Sequence, residues 1–150
     1  MLRISKLADY GTVVMAFFAR HQELFNAKEI ALKTHLSVPT VSKILKKLTK
    51  AKLLVSERGV DGGYRLQREP KLISVAEILY AIDDKPGLTE CSVHGSHCMF
   101  EKVCSVRGNW GLISKAVQQA LKTISLADLA SPEINPDFIF ASKKVGVGSE

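Results

Sequence analysis

Residues 37–66 combine two patterns that few folds accommodate side by side: an amphipathic helix and, directly after it, a glycine-rich hairpin. Ser37 is a preferred helix N-cap residue, and Pro39 falls in the first turn, where its missing N–H breaks no helical hydrogen bond. The apolar positions that follow recur at helical spacing up to about Lys50: Val41, Ile44, Leu45 and Leu48. Two β-like runs then flank Gly59-Val60-Asp61-Gly62-Gly63, which predicts a hairpin.

The patterns on either side of this unit predict further helices. Residues 5–21 carry an apolar stripe close to the 3.6-residue period, and Asn26-Ala27-Lys28-Glu29 has the form of a capping box that starts a short helix. Ser74-Val75-Ala76-Glu77 is another capping box, and Pro86-Gly87 is expected to end the helix that it opens. Helix, short helix, turn, helix and hairpin is the element order of a winged helix-turn-helix. The predicted fold class is therefore mainly α with a small β wing.

The second half of the chain predicts a long C-terminal helix with a narrow apolar seam. Its positions step by three and four residues in the manner of a heptad repeat: Val103, Val106, Trp110, Ile113, Val117, Ala120 and Ile124. A helix of roughly twenty residues with this seam could pack on its own domain. The winged helix, however, already has its own apolar stripes to bury. We therefore expect a dimerisation helix that meets a second copy of the chain in a homodimer.

The formal net charge of +6 is unevenly distributed along the 150 residues. Residues 1–70 carry 13 Lys and Arg against 6 Asp and Glu, a net of +7. Residues 71–150 carry 8 against 9, a net of −1. An asymmetry of this kind favours a polyanionic partner, by default double-stranded DNA, over an ordinary basic surface.

The helix at 37–50 has the side chains expected of a DNA recognition helix. Short hydroxyl side chains, Thr40 and Ser42, lie near its start, where they can approach base edges in the major groove. The lysines further along the outward face can neutralise phosphates: Lys43, Lys46 and Lys47. In the hairpin, Arg58 lies at the tip, placed to enter the minor groove, and Arg65 is a candidate for a backbone contact.

All three cysteines, Cys91, Cys98 and Cys104, lie in the cysteine segment, residues 87–105, which has no clear periodicity. Their odd number in a chain that looks cytosolic argues against a disulfide framework. Structural zinc sites usually use C-x₂₋₄-C pairs and none is present, so an iron–sulfur cluster is favoured, with zinc or with inert or redox-active thiols as alternatives. The fourth ligand would be His94, His97 or an acidic residue from elsewhere in the dimer.

Other functional classes are disfavoured by what the sequence lacks. No apolar stretch reaches the length of about 18 residues that a transmembrane helix needs. Met1-Leu2-Arg3-Ile4-Ser5-Lys6 carries no apolar targeting region, so a cytoplasmic protein without a membrane partner is expected. Without a C-x-x-C pair or a glycine-rich phosphate loop, we expect no enzyme and no small-molecule substrate. A protein–protein adaptor of the same fold is an alternative against which the basic first half argues.

Several segments resemble the iron–sulfur winged-helix regulators typified by IscR, NsrR and RirA, and the likeness covers about residues 1–130. The wing motif and the cysteine triplet together make the resemblance specific. The segments that carry it are Leu7-Ala8-Asp9-Tyr10-Gly11, Leu36-Ser37-Val38-Pro39-Thr40-Val41, Arg58-Gly59-Val60-Asp61-Gly62-Gly63-Tyr64-Arg65-Leu66, the three cysteines, and the Trp110 helix ending Ile124-Ser125-Leu126-Ala127-Asp128-Leu129.

The resemblance implies a homodimeric transcriptional repressor that binds a 2Fe–2S or 4Fe–4S cluster through Cys91, Cys98 and Cys104. It implies DNA contacts from Ser37, Thr40, Ser42, Lys43 and, in the wing, Arg58. Members control iron–sulfur assembly genes, including the SUF system, or respond to iron or nitric oxide. The domains expected are 1–70, a winged helix-turn-helix DNA-binding domain; 71–130, a connecting helix, a cluster-binding loop at 87–105 and the dimerisation helix; and 131–150, a weakly ordered tail. A zinc-stabilised DNA-binding module is the nearest rival.

The sequence departs from the IscR pattern in ways that bear on the fourth ligand. Arg107 stands where IscR-like members have histidine, and the gap between the first two cysteines is one residue longer. NsrR-like members use an acidic residue, donated across the dimer, at the position that matches Asp9. Asp9 is therefore a candidate ligand from the partner subunit, beside a purely structural role. Ser42 replaces an acid of IscR-like members, which implies one class of DNA site instead of two.

Overall fold

The computed structural model describes residues 3–83, 88–89, 98–100 and 102–132. The predicted fold class is confirmed, because the described residues form a mostly helical unit with a two-stranded antiparallel wing. The elements, in chain order, are α1 (Lys6–Arg20), α2 (Ala27–Thr34), α3 (Val38–Lys50), β1 (Leu54–Glu57), β2 (Gly63–Leu66), a 3₁₀ turn (Pro70–Leu72), α4 (Val75–Ile82), α5 (Arg107–Thr123) and α6 (Leu126–Ala130). None of the described helices has the length and apolarity needed to cross a membrane.

The helix starts predicted from capping residues are confirmed. Asn26 accepts from the Lys28 and Glu29 amides at 3.0 Å each, while the Glu29 carboxylate accepts from the Asn26 amide at 2.8 Å. Ser74 and Glu77 form the same reciprocal pair at the start of α4. Such pairs satisfy backbone donors that the first helical turn leaves without partners, so they fix where each helix begins.

The wing is a hairpin in which Leu54 pairs with Leu66 and Glu57 pairs with Gly63. A short bridge adds a third segment, since Phe25 and Tyr64 exchange backbone hydrogen bonds of 3.2 and 2.9 Å. A β-carbon on Gly63 would lie 2.7 Å from the Phe25 backbone, so glycine is required where this segment crosses the wing. The bridge anchors the hairpin to the linker between α1 and α2.

One hydrophobic core joins the winged helix to the elements that follow it. Its largest fully buried side chains come from both sides of residue 70: Met15, Phe18, Ile30, Ile44, Leu45, Leu48, Leu53, Leu54, Ile73, Ile78, Ile82 and Leu126. α4 therefore packs directly on α1 and α3, and α6 packs on α1. The core crosses the position predicted for the boundary between the first two domains.

The C-terminal helix α5 is shorter than the helix that the apolar seam predicted. α5 has 17 residues from Arg107 to Thr123, so Val103 and Val106 precede it and Ile124 follows it. Ile124 adopts an extended conformation, and its carbonyl accepts the Val75 amide at 2.8 Å. Because this bond joins Ile124 to the start of α4, the helix ends there and the last seam position faces its own core.

Two other boundaries differ from expectation. A capping box of Ser125 and Asp128 starts the separate helix α6, which the apolar seam does not predict. α4 ends at Ile82, before Pro86-Gly87, which lies outside the described residues. The predicted tail at 131–150 also lies outside them from residue 133 onward.

Candidate DNA interface and cysteine segment

The outer face of α3 carries two lysines that are not engaged by the described part of the chain. Lys43 and Lys46 are exposed, and neither side chain has a hydrogen bond or ion pair to any described residue. The opposite side of the helix is fully buried through Val41, Ile44 and Leu48, which fixes the orientation of the exposed face. Both ammonium groups are therefore available to an external anion such as a DNA phosphate.

The hydroxyl side chains at the start of α3 serve the helix itself. Ser37 caps α3 by accepting from the Thr40 amide at 3.4 Å, and the two hydroxyls lie 2.8 Å apart. Thr40 and Ser42 are half-buried. The short hydroxyls thus lie at the N-terminal end of α3 in an arrangement held by the cap, with Lys43 directly after them.

The prediction that Lys47 faces outward beside Lys46 is wrong. Its ammonium donates to the carbonyl of Ile82 at 2.9 Å, in a partly buried position at the end of α4. Residue 47 lies between the buried positions 44 and 48 along the helix, so its long stem reaches α4. No periodicity within α3 could indicate this bond, because the acceptor lies 35 residues further along the chain.

The two predicted arginine contacts in the wing differ in whether the side chain is already paired. Arg58 lies exposed in the turn after β1 and has no hydrogen bond or ion pair with the described residues. Arg65 on β2 instead donates to Glu57 at 2.9 Å, across the hairpin. Glu57 was not among the predicted site residues, although its place at the end of β1 opposite β2 could have indicated the pair. The tip arginine is therefore the freer of the two predicted contacts.

Part of the cysteine segment lies within the described residues. Cys98 and Cys104 are half-buried free thiols, and between them the Val103 amide donates to the Phe100 carbonyl at 3.1 Å, which forms a turn. Cys91, His94 and His97 lie outside the described residues, so the proposed ligand set is only partly visible. Among the described residues, no group of three or more His, Cys, Asp and Glu is placed to hold a metal ion.

The candidate ligand Asp9 is exposed in the first turn of α1. Its amide donates to the Ser5 carbonyl at 2.9 Å, and Ser5 caps this helix by accepting from the Ala8 amide at 3.0 Å. Its position on the molecular surface is compatible with a contact to another chain.

The predicted seam on α5 divides into an exposed part and a packed part. Val106, Trp110 and Ile113 are 48%, 38% and 46% exposed, and Val103 just before the helix is 80% exposed. Leu121 and Ile124, by contrast, pack against the core. The first half of the helix therefore leaves a continuous apolar stripe uncovered by the described residues.

The family model Rrf2, described as an iron-dependent transcriptional regulator, matches residues 4–132. The chain belongs to the Rrf2 family. Protein rrf2 of Nitratidesulfovibrio vulgaris is 31% identical over 130 residues, which is 85% of this chain and 87% of that protein. This Rrf2-family chain is thus a DNA-binding transcriptional regulator, and the family is one of regulators, not of enzymes.

Solved structures agree with the Rrf2 assignment. CymR, the global cysteine regulator of B. subtilis, has a TM-score of 0.71 at 28% identity, covering 89% of this chain and 99% of that chain. IscR of T. potens has a TM-score of 0.66 at 30% identity, covering 85% of each chain. The resemblance seen in the sequence motifs therefore extends to the whole winged-helix fold.

Proposed function

We propose that this Rrf2-family regulator is a homodimeric, cytoplasmic repressor whose DNA affinity depends on an iron–sulfur cluster bound by Cys91, Cys98 and Cys104. The observation that carries the proposal is the position of Cys98 and Cys104. Both are half-buried free thiols that precede α5 in the sequence, Cys104 by three residues, and α5 is the helix with the exposed apolar stripe. Ligand site and dimerisation surface would then share one stretch of chain, so that occupancy of one can affect the other.

The donor set suits an iron–sulfur cluster. Thiolates are its usual ligands, and α5 begins without a side-chain cap at Val106, which leaves the positive end of the helix dipole next to Cys104. The positive end of a helix dipole attracts negative charge, so it favours an anionic ligand group at this end of α5. When bound, the cluster would supply a group sensitive to oxidants, nitric oxide and iron supply. Asp9 from the second copy, His94 or His97 would provide the remaining ligand.

The dimer is supported by the exposed stripe of α5. Soluble proteins rarely leave a contiguous apolar surface uncovered unless it meets a partner. Val106, Trp110 and Ile113 repeat at the three-and-four spacing of helix pairs, which favours a second copy of the same helix. Two recognition helices in such a dimer would read half-sites about one DNA turn apart.

The DNA contacts would divide into two kinds. Lys43 and Lys46 would contact phosphates and fix the position on the duplex, whereas Thr40 and Ser42 would approach base edges. Arg58 would enter the adjacent minor groove. We propose iron–sulfur assembly genes as targets, with iron homeostasis and nitric-oxide response as the next candidates.

The test begins with anaerobic purification of the wild-type chain and of Cys98→Ala, with Ser105→Ala as a matched neighbour that carries no thiol. A brown wild-type protein with visible charge-transfer absorption, absent only in Cys98→Ala, supports the cluster. A colourless protein with stoichiometric zinc would refute the cluster and indicate a zinc-stabilised DNA-binding module instead. Resonance Raman spectra of Asp9→Ala would show whether that carboxylate is a ligand.

The second part measures binding to the duplex that the wild-type protein enriches from a random pool. Loaded wild-type protein and Ser105→Ala should bind it with one affinity and Cys98→Ala with another. Equal affinity of loaded protein and Cys98→Ala would refute the cluster-dependent switch. Failure to enrich any duplex would refute the DNA-reading role of α3.

A further inference from the structure

The end of α4 is held by two separate elements of the winged helix. The Ile82 carbonyl accepts from Lys47 of α3 at 2.9 Å. The side-chain carboxylate of the next residue, Asp83, accepts from the Ser5 hydroxyl at the start of α1 at 2.8 Å. Two consecutive residues, one through its backbone carbonyl and one through its side chain, thus connect the end of α4 to the recognition helix and to the first turn that carries Asp9.

Lys47 satisfies a need that α4 does not meet itself. The last carbonyls of a helix lack intrahelical donors and carry the negative end of the helix dipole, which a nearby cation stabilises. α4 has no basic residue in its last turn. Lys47 supplies the cation from α3 instead, and its ammonium is thereby directed towards α4 and not along the outer face with Lys43 and Lys46.

The joint formed by Ile82 and Asp83 with Lys47 and Ser5 also lies close in sequence to the cysteine segment. The cysteine segment begins four residues after Asp83 in the sequence, so Ile82 and Asp83 are the residues of this joint nearest to its start along the chain. If the Ile82 carbonyl were displaced, Lys47, which is bonded to it, would move with it and shift α3 relative to α1. A bound group can bias α3 in this way only if it favours one arrangement of the joint over another.

We infer that Lys47 is a positioning residue that couples the cysteine segment to the recognition helix through the Ile82 carbonyl, and is not a phosphate contact. The coupling rests on the proposed function, which supplies the signal, whereas the assignment of Lys47 does not. Asp83, through Ser5, extends the same coupling to the start of α1.

The first test separates positioning from phosphate contact and needs no cluster. The probe is a mixed-sequence duplex, to which non-specific binding depends mainly on phosphate contacts. Lys46→Met should lower the slope of log affinity against log salt by about one. Lys47→Met, which keeps the length of the side chain without its donor, should leave that slope unchanged. A slope lowered by about one in Lys47→Met as well would overturn the inference.

Hydrogen exchange supplies a second readout that is independent of DNA. The Asp83 amide, which donates to Leu79 in the last turn of α4, should exchange faster in Lys47→Met than in the wild type. Lys47→Arg keeps a donor and should restore much of the protection, whereas Lys46→Met should not alter it. Unchanged exchange in Lys47→Met would show that the bond does not hold the end of α4.

The third test measures coupling as the ratio of affinities for the enriched duplex between loaded protein and the Cys98→Ala form. Lys47→Met and Asp83→Ala should each reduce this ratio by about threefold or more, while Asp83→Asn, which keeps an acceptor for Ser5, and Lys46→Met preserve it. A merely structural role would lower the melting temperature and both affinities without changing the ratio, and would overturn the coupling.

The outcomes distinguish this inference from the proposed function. A wild-type ratio of one would refute the proposed cluster switch and, with it, the coupling. The salt slope and the Asp83 exchange would still decide whether Lys47 positions α3 or contacts phosphates. A wild-type ratio well away from one, kept in Lys47→Met, would leave the cluster switch standing and refute the inference alone.

Discussion

Gly11 of α1 packs directly against Ile82 of α4. A β-carbon at position 11 would lie 2.9 Å from Ile82 Cγ1 and 3.2 Å from its Cδ1, and the Ile82 side chain is fully buried. The absence of a side chain at Gly11 therefore allows α1 to approach the same end of α4 that Lys47 holds from the other side.

Gly11→Ala is expected to destabilise the protein by about 1–2 kcal/mol. Overpacking against a buried side chain costs about 1–3 kcal/mol, and the better helix propensity of alanine offsets only part of it. Gly108→Ala is the matched control, because in α5 no described residue beyond its chain neighbours and its own helix backbone lies within 4 Å of its β-carbon position, and it should be neutral or slightly stabilising. Urea unfolding measures both. An equal gain in stability from the two substitutions would contradict the Gly11 contact.

Ile113→Glu is expected to convert the proposed dimer to a monomer, because it places a charge in the exposed apolar stripe of α5. Lys115→Glu is the control, since it adds a carboxylate to the exposed opposite face of the same helix and should leave the dimer intact. Sedimentation velocity over a range of protein concentrations measures the change. A dimer that survives Ile113→Glu would locate the interface elsewhere.

Arg58→Ala is expected to weaken DNA binding more strongly than Arg65→Ala. The Arg58 guanidinium has no partner among the described residues, whereas Arg65 is already paired with Glu57 at 2.9 Å. Loss of Arg58 should lower the salt slope by about one, and loss of Arg65 should lower it less. Fluorescence anisotropy at several salt concentrations compares the two. A larger effect of Arg65→Ala would mean that the ion pair opens on binding.

The capping box of α4 is expected to make stability depend on pH in mildly acidic solution. Burial opposes ionisation of Glu77, but hydrogen bonds from Ser74 and Arg68 outweigh it and hold the pKa of Glu77 below its usual value of 4.5. The carboxylate therefore stabilises the fold above about pH 4.5, and this contribution disappears as the pH falls through the lower pKa of the folded state.

Glu77→Gln tests this dependence, because glutamine can still accept from the Ser74 amide without carrying charge. Allowing for solvent screening, the charge should contribute about 0.5 kcal/mol at neutral pH, lost on acidification in the wild type and absent from the variant. Glu69→Gln is the control, since Glu69 makes no side-chain cap to the following turn. Parallel pH profiles of unfolding for wild type and Glu77→Gln would refute the prediction.

Short-range signals predicted the elements well where each signal lies within one turn or one hairpin. The caps at Asn26, Ser37 and Ser74 lie within three residues of the amides that they serve, so the pattern alone locates the helix starts. The cap at Ser125 has the same form, but the heptad spacing continues through Ile124 and hides the break. The break arises from a bond to Val75, which no local pattern indicates.

The candidate site was predicted in the same uneven way. Lys43, Lys46 and Arg58 are exposed as expected, since amphipathic spacing and a hairpin tip determine exposure locally. Lys47 and Arg65 carry the same charge in the same elements, but each is engaged by a group on another segment. Charge and period therefore indicate which residues are cationic, but not which cations remain available.

Caps, apolar periods and glycine turns act between near neighbours in the chain, so the helices and the hairpin of the winged unit could be predicted from the sequence, as could its basic character and its family. The partners of Lys47, Arg65 and Ile124 could not, and these partners set which cations and which part of the α5 seam remain uncovered. Their hydrogen bonds join different elements of the chain. They form only when packing of the common core brings those elements within about 3 Å, the reach of a hydrogen bond.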